Sequence, residues 1–346
     1  MTLAAEVEAI RSSVALSRLD HVRLLRVRGE DAYDALDRAV PAQLRVRDGQ
    51  LLHTLLLDDD AHPVADVYVG RDDEDFFLLA EGADAAELTA LLRRHVADGA
   101  DVTIEDGSAT HAILGLDGPY AWELLGAAVD PEVIGLPYLT FYHRPEAICY
   151  RAGKTGEYGY GLIVPREGLD ALESRLRATG AAYELRDASL DALDQCALEN
   201  WFFNIRREGR ERVTPVELQL QWRVSHRKTF TGSEALRRRR AEGARERLTC
   251  LVADGAMTVG DTIMSEDGAI GRVVNAGWSD TRGEWVALAL LDLAWAYPGI
   301  GELTAGGATA RTVSPPLLMN RSLAVSPQLH SWFTRHEHAT PPLVRR

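Results

Sequence analysis

The chain has 346 residues, 46% of them hydrophobic, and a formal net charge of −14 at pH 7, enough apolar content to bury two or three cores. The negative balance argues against nucleic acid or an anionic membrane as main partner, since phosphate binding needs a basic face, and favours a protein that handles a small molecule. Cys149, Cys196 and Cys250 lie far apart without CxxC spacing, which excludes a disulfide or zinc framework, and no run approaches the roughly 18 apolar residues of a membrane span. Met1 to Arg18 has no apolar core of signal-peptide length, so the cytoplasm is the expected location.

In chain order, apolar spacing predicts a strand over 21–27, a Gly-Glu-Asp turn and a helix over 31–39. Strands over 51–57 and 64–69 flank the polar turn Asp58-Asp59-Asp60-Ala61-His62-Pro63, and a third strand follows at 76–79. Leu88, Leu91, Leu92 and Val96 have helical spacing, and strands are expected over 102–105 and 110–114. Pro119 opens a helix to residue 125, since its missing N–H costs least in a first turn. Residues 145–185 read as a βαβ-like stretch, with a glycine-rich loop near its start and a helix over 166–179. Residues 199–217 are rich in aromatic and basic side chains and end in a Thr-Pro turn. The run Arg237-Arg238-Arg239-Arg240 reads as a solvated face of a charged helix or linker. After Leu248, short apolar strands separated by Gly255, Gly260, Gly268, Gly271 and Gly277 predict a small antiparallel barrel or sandwich. The tail over 341–346 is expected to be mobile. The class is α+β, with a boundary near 243.

Several residues could carry chemistry. Asp66 stands at the head of the apolar run Val67-Tyr68-Val69, either as a turn carboxylate or as a proton-handling group beside a ligand nitrogen. The loop Gly153-Lys154-Thr155-Gly156-Glu157-Tyr158-Gly159-Tyr160-Gly161 has four glycines in nine residues, which permits close backbone approach to a ligand or a sharp turn. Trp222 reads as pocket lining or plain core, His21 and Cys196 as structural. Of the 38 lysines and arginines only Lys154 and Lys228 are lysine, a hint that these two positions need a compact ammonium. His336-Glu337-His338 lacks the spacing of a defined zinc site, so no metal is expected.

Three segments resemble, in order, the folate-dependent aminomethyltransferase family, the T-protein of the glycine cleavage system. They are Ala65-Asp66-Val67, the loop from Gly153 to Gly161, and Thr214-Pro215-Val216-Glu217 through Trp222 to Lys228-Thr229-Phe230-Thr231-Gly232. The resemblance implies a three-domain fold around a central ligand cavity. Its expected domains are residues 1–50 plus 134–243 as a discontinuous α+β folate-binding-type domain, 51–133 as a second α+β domain, and 244–346 as an antiparallel β-barrel-like domain. It also implies tetrahydrofolate as cofactor, with Asp66 as the catalytic carboxylate that stabilises positive charge on a folate nitrogen. Phe76, Glu157, Tyr160, Glu199 and Trp222 would line the cofactor site. Two family anchors for the pterin edge, a glutamate and an arginine, fall on Gly161 and Leu193.

Three readings follow. The first is tetrahydrofolate-dependent transfer of a methyl or methylene unit to or from a small molecule, with any carrier protein left open. The second keeps the fold and binds a non-folate small molecule in specialised metabolism. The third is a non-catalytic ligand-binding protein.

Overall fold

A computed structural model describes residues 2–344. The chain divides into two compact units, one comprising residues up to 20, 108–202 and 316 onward, the other 21–107 and 203–315.

The first unit is built on a six-stranded sheet in the order Arg186–Asp187, Ala15–Arg18, His111–Asp117, Gly159–Pro165, Ala147–Tyr150, Phe141–Arg144. One face carries Leu16, Leu114, Leu116, Tyr160, Leu162 and Val164, packed with Leu124, Leu125, Leu172, Leu176 and Trp332. Leu124 and Leu125 come from the helix Ala121–Ala128, Leu172 and Leu176 from Leu169–Gly180. The helices Leu3–Ser12 and Leu190–Glu199 share a smaller core of Val7, Ile10, Ala192 and Cys196, with Leu193 against it.

The second unit holds a five-stranded sheet ordered Leu51–Leu57, Pro63–Asp72, Asp75–Glu81, Arg23–Arg28, Thr103–Asp106. In the helix Ala32–Ala39 the buried residues are Ala32, Ala35, Leu36 and Ala39, the one-sided spacing of an amphipathic helix. Asp84 caps the helix Ala85–Arg93 by accepting from Glu87 N–H, which satisfies a donor that the helix itself leaves open. Leu36, Ala39, Leu88 and Leu92 join Leu25, Val27, Val67, Val69, Phe76 and Leu78 in one core. The same unit contains a closed barrel of six strands, Glu246–Ala253, Thr262–Ser265, Gly268–Ser279, Glu284–Asp292, Leu303–Ala305 and Ala308–Val313.

The α+β class and the C-terminal barrel are as expected, but the boundaries expected at 50 and 133 cut through paired strands. Arg23–Arg28 pairs with Asp75–Glu81 and Thr103–Asp106, so residues 21–50 belong with the sheet expected to begin at 51. His111–Asp117 pairs with Ala15–Arg18 and Gly159–Pro165, which puts residues 108–133 with the first unit. Local periodicity marks a strand but not the distant partner that claims its hydrogen bonds. The segment after 315 also departs from the barrel: Trp332 lies in the first unit's core, and Met319 N–H donates to Leu343 O at 2.7 Å, tying down a stretch expected to be mobile. For Arg345 and Arg346 that expectation lies outside the described residues.

Candidate functional site

In the five-stranded sheet Leu55, Asp66 and Glu81 are cross-strand neighbours, as are His53, Tyr68 and Leu79. Directly opposed residues point to the same face, and this face is the one opposite the helix-packed core. Asp66 is 3% exposed. Its Oδ1 lies 2.7 Å from His53 Nε2 and accepts from the Arg223 guanidinium at 2.9 Å. His53 stacks on Tyr68 with ring centroids 4.2 Å apart. Beside this trio Glu81 pairs with Arg206, and His21 Nε2 approaches Glu81 at 3.7 Å. Two carboxylates on adjacent strands are thus each met by one arginine from the 203–223 segment and one imidazole. A permanently charged arginine stabilises an ionised carboxylate at a buried position, while the imidazole is the partner able to change charge near neutral pH.

Trp222 is neither strand nor core. It is 70% exposed on the 3₁₀ turn Gln221–Arg223, with the Arg223 guanidinium 4.9 Å from its ring centroid, a cation–π contact one residue from the partner of Asp66. Phe76, aligned to the same ligand, lies on the other face of the sheet: it is buried in the helix-covered core with Tyr33 6.4 Å away. Alternation along Asp75–Glu81 dictates this, since Phe77, Leu79 and Glu81 take the Asp66 face.

In the first unit the glycine-rich loop encloses Arg11, a fully buried side chain of the helix Leu3–Ser12. Arg11 donates to Thr155 O at 2.6 Å, to Asn320 Oδ1 at 3.1 Å and to Glu199 Oε2 at 2.7 Å. Glu157 is 3.9 Å from the same guanidinium and accepts from the backbone N–H groups of Arg321 and Ser322 and from the Ser322 hydroxyl. Burial pushes the Glu157 carboxyl above its ordinary value, against the pull of Arg11 and the Ser322 donors. Thr155 Oγ1 donates to Asp117 Oδ1 at 2.8 Å, and burial pushes Asp117 up to about 7. Gly156 adopts φ +83°, and a Cβ there would lie 2.5 Å from Asn320 Nδ2, so this left-handed turn needs glycine.

Glu157 and Glu199, aligned as cofactor-lining residues, are therefore engaged in holding Arg11, Ser322 and the loop together. Tyr160, aligned to the same role, is 2% exposed in the core face of its strand, where burial raises its hydroxyl pKa. The first unit also shows what occupies the two aligned anchor positions. A Cβ on Gly161 would lie 2.0 Å from Tyr150 Cζ, so the Tyr150 ring fills the place of a side chain at that position. Leu193 packs against the small apolar core between two helices. A carboxylate fork for a pterin edge does not fit at 161, whereas the Asp66 trio offers a buried carboxylate suited to an N–H donor.

Sequence reasoning missed His53, Arg223, Glu81, Arg206 and Arg11. Two were within reach: counting back through the 58–62 turn places residue 53 on the Asp66 face, and Arg223 adjoins Trp222. Arg11 and Arg206 act over more than a hundred residues and carry no local signal.

The first unit's sheet and helices, the second five-stranded sheet and the closed β-barrel are the frame of the chain, and its relatives make it a transferase of one-carbon groups. The GCVT N-terminal domain family matches residues 1–228, and the chain belongs to that family. It is 33% identical over 241 residues to the aminomethyltransferase of Chlorobaculum parvum, covering 67% of this chain and 66% of that one. Against the aminomethyltransferase of Caldanaerobacter subterraneus it is 26% identical over 307 residues, 86% and 82% of the two chains. The fold matches the crystal structure of glycine cleavage system aminomethyltransferase T from Bartonella henselae with a TM-score of 0.80 at 23% identity, over 91% of this chain and 89% of that one. Among the described residues no helix is long and apolar enough to cross a membrane.

Proposed function

We propose that this chain transfers a one-carbon unit between tetrahydrofolate and a small-molecule substrate, with Asp66 as the catalytic carboxylate. The observation that carries this reading is the Asp66 trio. Arg223, 2.9 Å from the carboxylate, favours its ionised form, and an ionised buried carboxylate both accepts a charge-assisted hydrogen bond from a ligand N–H and stabilises positive charge developing on a nitrogen. Tetrahydrofolate would supply the nitrogen that carries the one-carbon unit. This chain's residues would bind and orient it: the Asp66 carboxylate would accept its N–H and stabilise positive charge on that nitrogen, and Trp222 offers an exposed aromatic face beside Arg223.

One observation favours a second reading, a non-folate ligand. With Tyr150 over Gly161 and Leu193 in an apolar core, the polar clamp on the pterin edge is absent from its aligned positions, and a flatter or less polar ligand head loses nothing by that change.

Calorimetry with tetrahydrofolate separates the two. Micromolar binding by the native chain and at least tenfold weaker binding by Asp66→Ala is the result expected for folate-dependent transfer. Absence of binding by the native chain rejects folate as the carrier and leaves the second reading.

A further inference from the structure

The imidazole of His53 is the group in the trio that can change charge under physiological conditions, and its place in the strand is set by register rather than by chance contact. His53 opposes Tyr68, Asp66 lies two residues along the same strand as Tyr68, and the ring is stacked on Tyr68 while its Nε2 sits 2.7 Å from Asp66 Oδ1. The carboxylate oxygen that meets His53 also meets Arg223. Arg223 does not titrate in water, so the net charge of the trio is decided by His53: zero with neutral imidazole, +1 with imidazolium.

We propose that His53 is a positioning residue that gates Asp66: with the neutral ring donating from Nε2 the trio carries no net charge and accepts a ligand N–H, and with the protonated ring it carries +1 and repels the positive charge on the ligand nitrogen. This rests on the reading that Asp66 meets the folate nitrogen. Around the ring within its own unit stand Asp66 and Tyr68 from the neighbouring strand, with Arg223 from the 221–223 turn on the same carboxylate oxygen. Glu81 with its partners Arg206 and His21 stands one strand further away. Glu81 and Arg206 offset each other, and His21 lies against Glu81. The step involves proton binding alone: a solvent proton is taken up at Nδ1 of the Nε2–H tautomer, and no bond to carbon forms or breaks.

Two measurements test this. Side-chain ¹H–¹⁵N spectra, with His53→Gln identifying the resonance, follow the ring through a pH titration in the native chain and in Asp66→Asn. Loss of the carboxylate charge should lower the His53 midpoint by about one pH unit, since an opposite charge in contact favours the protonated ring. Calorimetry with tetrahydrofolate under anaerobic conditions then compares pH 7.5 with pH 5.5. Affinity of the native chain should fall about tenfold or more, a 1.4 kcal/mol change, whereas His53→Gln, which keeps a donor and cannot titrate, should change less than about threefold.

An acid loss that persists in His53→Gln, or a His53 midpoint indifferent to Asp66→Asn, overturns the proposal while leaving folate binding intact. Absence of binding at both pH values in both proteins rejects the folate reading instead, and the midpoint shift then decides on its own whether His53 and Asp66 titrate as a pair.

Discussion

The buried charges around Arg11 and those around Asp66 are built from the same residue types but are held by different partners. Glu157 accepts from two backbone N–H groups and a serine hydroxyl, and Arg11 donates to a backbone carbonyl as well as to side chains. Those bonds draw together the helix Leu3–Ser12, the glycine-rich loop, the end of the helix Leu190–Glu199 and the segment at 320–322. Backbone partners cannot leave without unfolding something, so this cluster is a fastening. Asp66 meets the His53 imidazole and accepts from the Arg223 guanidinium, and side-chain partners of this kind can exchange for a ligand group without moving the sheet. The lesson is that a buried acid is better judged by what donates to it than by its place in a motif.

The sharpest way to break that contrast is Arg11→Ala. It leaves Glu199, Glu157 and Asp117 in a buried site without their counter-charge, and stripping one partner from a buried pair costs about 3–5 kcal/mol. Urea unfolding should show a large drop in midpoint with little change in slope. A loss below about 1 kcal/mol, the scale of an exposed ion pair, would mean that the cluster is not the fastening described.

Asp117 gives the next largest effect, and its sign is opposite. In the unfolded chain the carboxyl titrates near 3.8, in the folded chain at about 7. Between those values the folded state holds a proton that the unfolded state has lost, so folding stability contributed by this group declines as pH rises from about 4 to about 7 and is flat above. Asp117→Asn keeps an acceptor for the Thr155 hydroxyl and removes the titration. It should therefore be more stable than the native chain at pH 8, by up to about 4 kcal/mol for a shift of about three units, with the difference closing as pH falls toward 4. Paired denaturant titrations at pH 4.5 and pH 8 measure it. A pH-independent difference contradicts the assignment.

How much of this was legible beforehand depended on range. The barrel could be read from glycine-punctuated strands, and the hairpin bearing Asp66 from its polar turn, because both signals are local. The pairing of Arg23–Arg28 with Asp75–Glu81 was not, since a strand's own pattern is satisfied by any neighbour that buries its apolar face. Asp66 was found by resemblance. The motif around Glu157 and Glu199 says nothing of Arg11 about 150 to 190 positions upstream, and the face taken by Phe76 follows only when strand alternation is carried through from Asp66.

Gly161, which the resemblance aligns with a pterin anchor, sharpens the comparison through its packing. With Tyr150 Cζ 2.0 Å from the point a Cβ would occupy, Gly161→Ala forces the tyrosine ring aside, and overpacking of this kind costs about 1–3 kcal/mol. Tyr150→Ala should relieve it, so that the double variant is more stable than the two single losses added together. A double-mutant cycle by thermal unfolding reads the coupling directly. Strict additivity would show that Tyr150 does not occupy the space of the vanished side chain.

The smallest effect concerns one of the two lysines. Lys228 Nζ donates to Asp37 Oδ1 at 2.8 Å, to Ala42 O at 2.8 Å and to Asp37 O, clasping the chain after residue 225 to the end of the helix Ala32–Ala39. Three acceptors converge on one point, the geometry of an ammonium with its three tetrahedral donors, and a planar guanidinium spreads its N–H groups in a fork that cannot meet all three. In a chain where all but two of the 38 lysines and arginines are arginine, that mismatch explains why lysine stands here. Lys228→Arg should keep the charge opposite Asp37 and lose one of the carbonyl bonds, for a cost of about 1 kcal/mol. Lys228→Met, which removes all three donors and leaves Asp37 without its cation, should cost more. Equal stability of the arginine variant and the native chain in urea unfolding would place the lysine outside this clasp and return it to the composition of the chain as a whole.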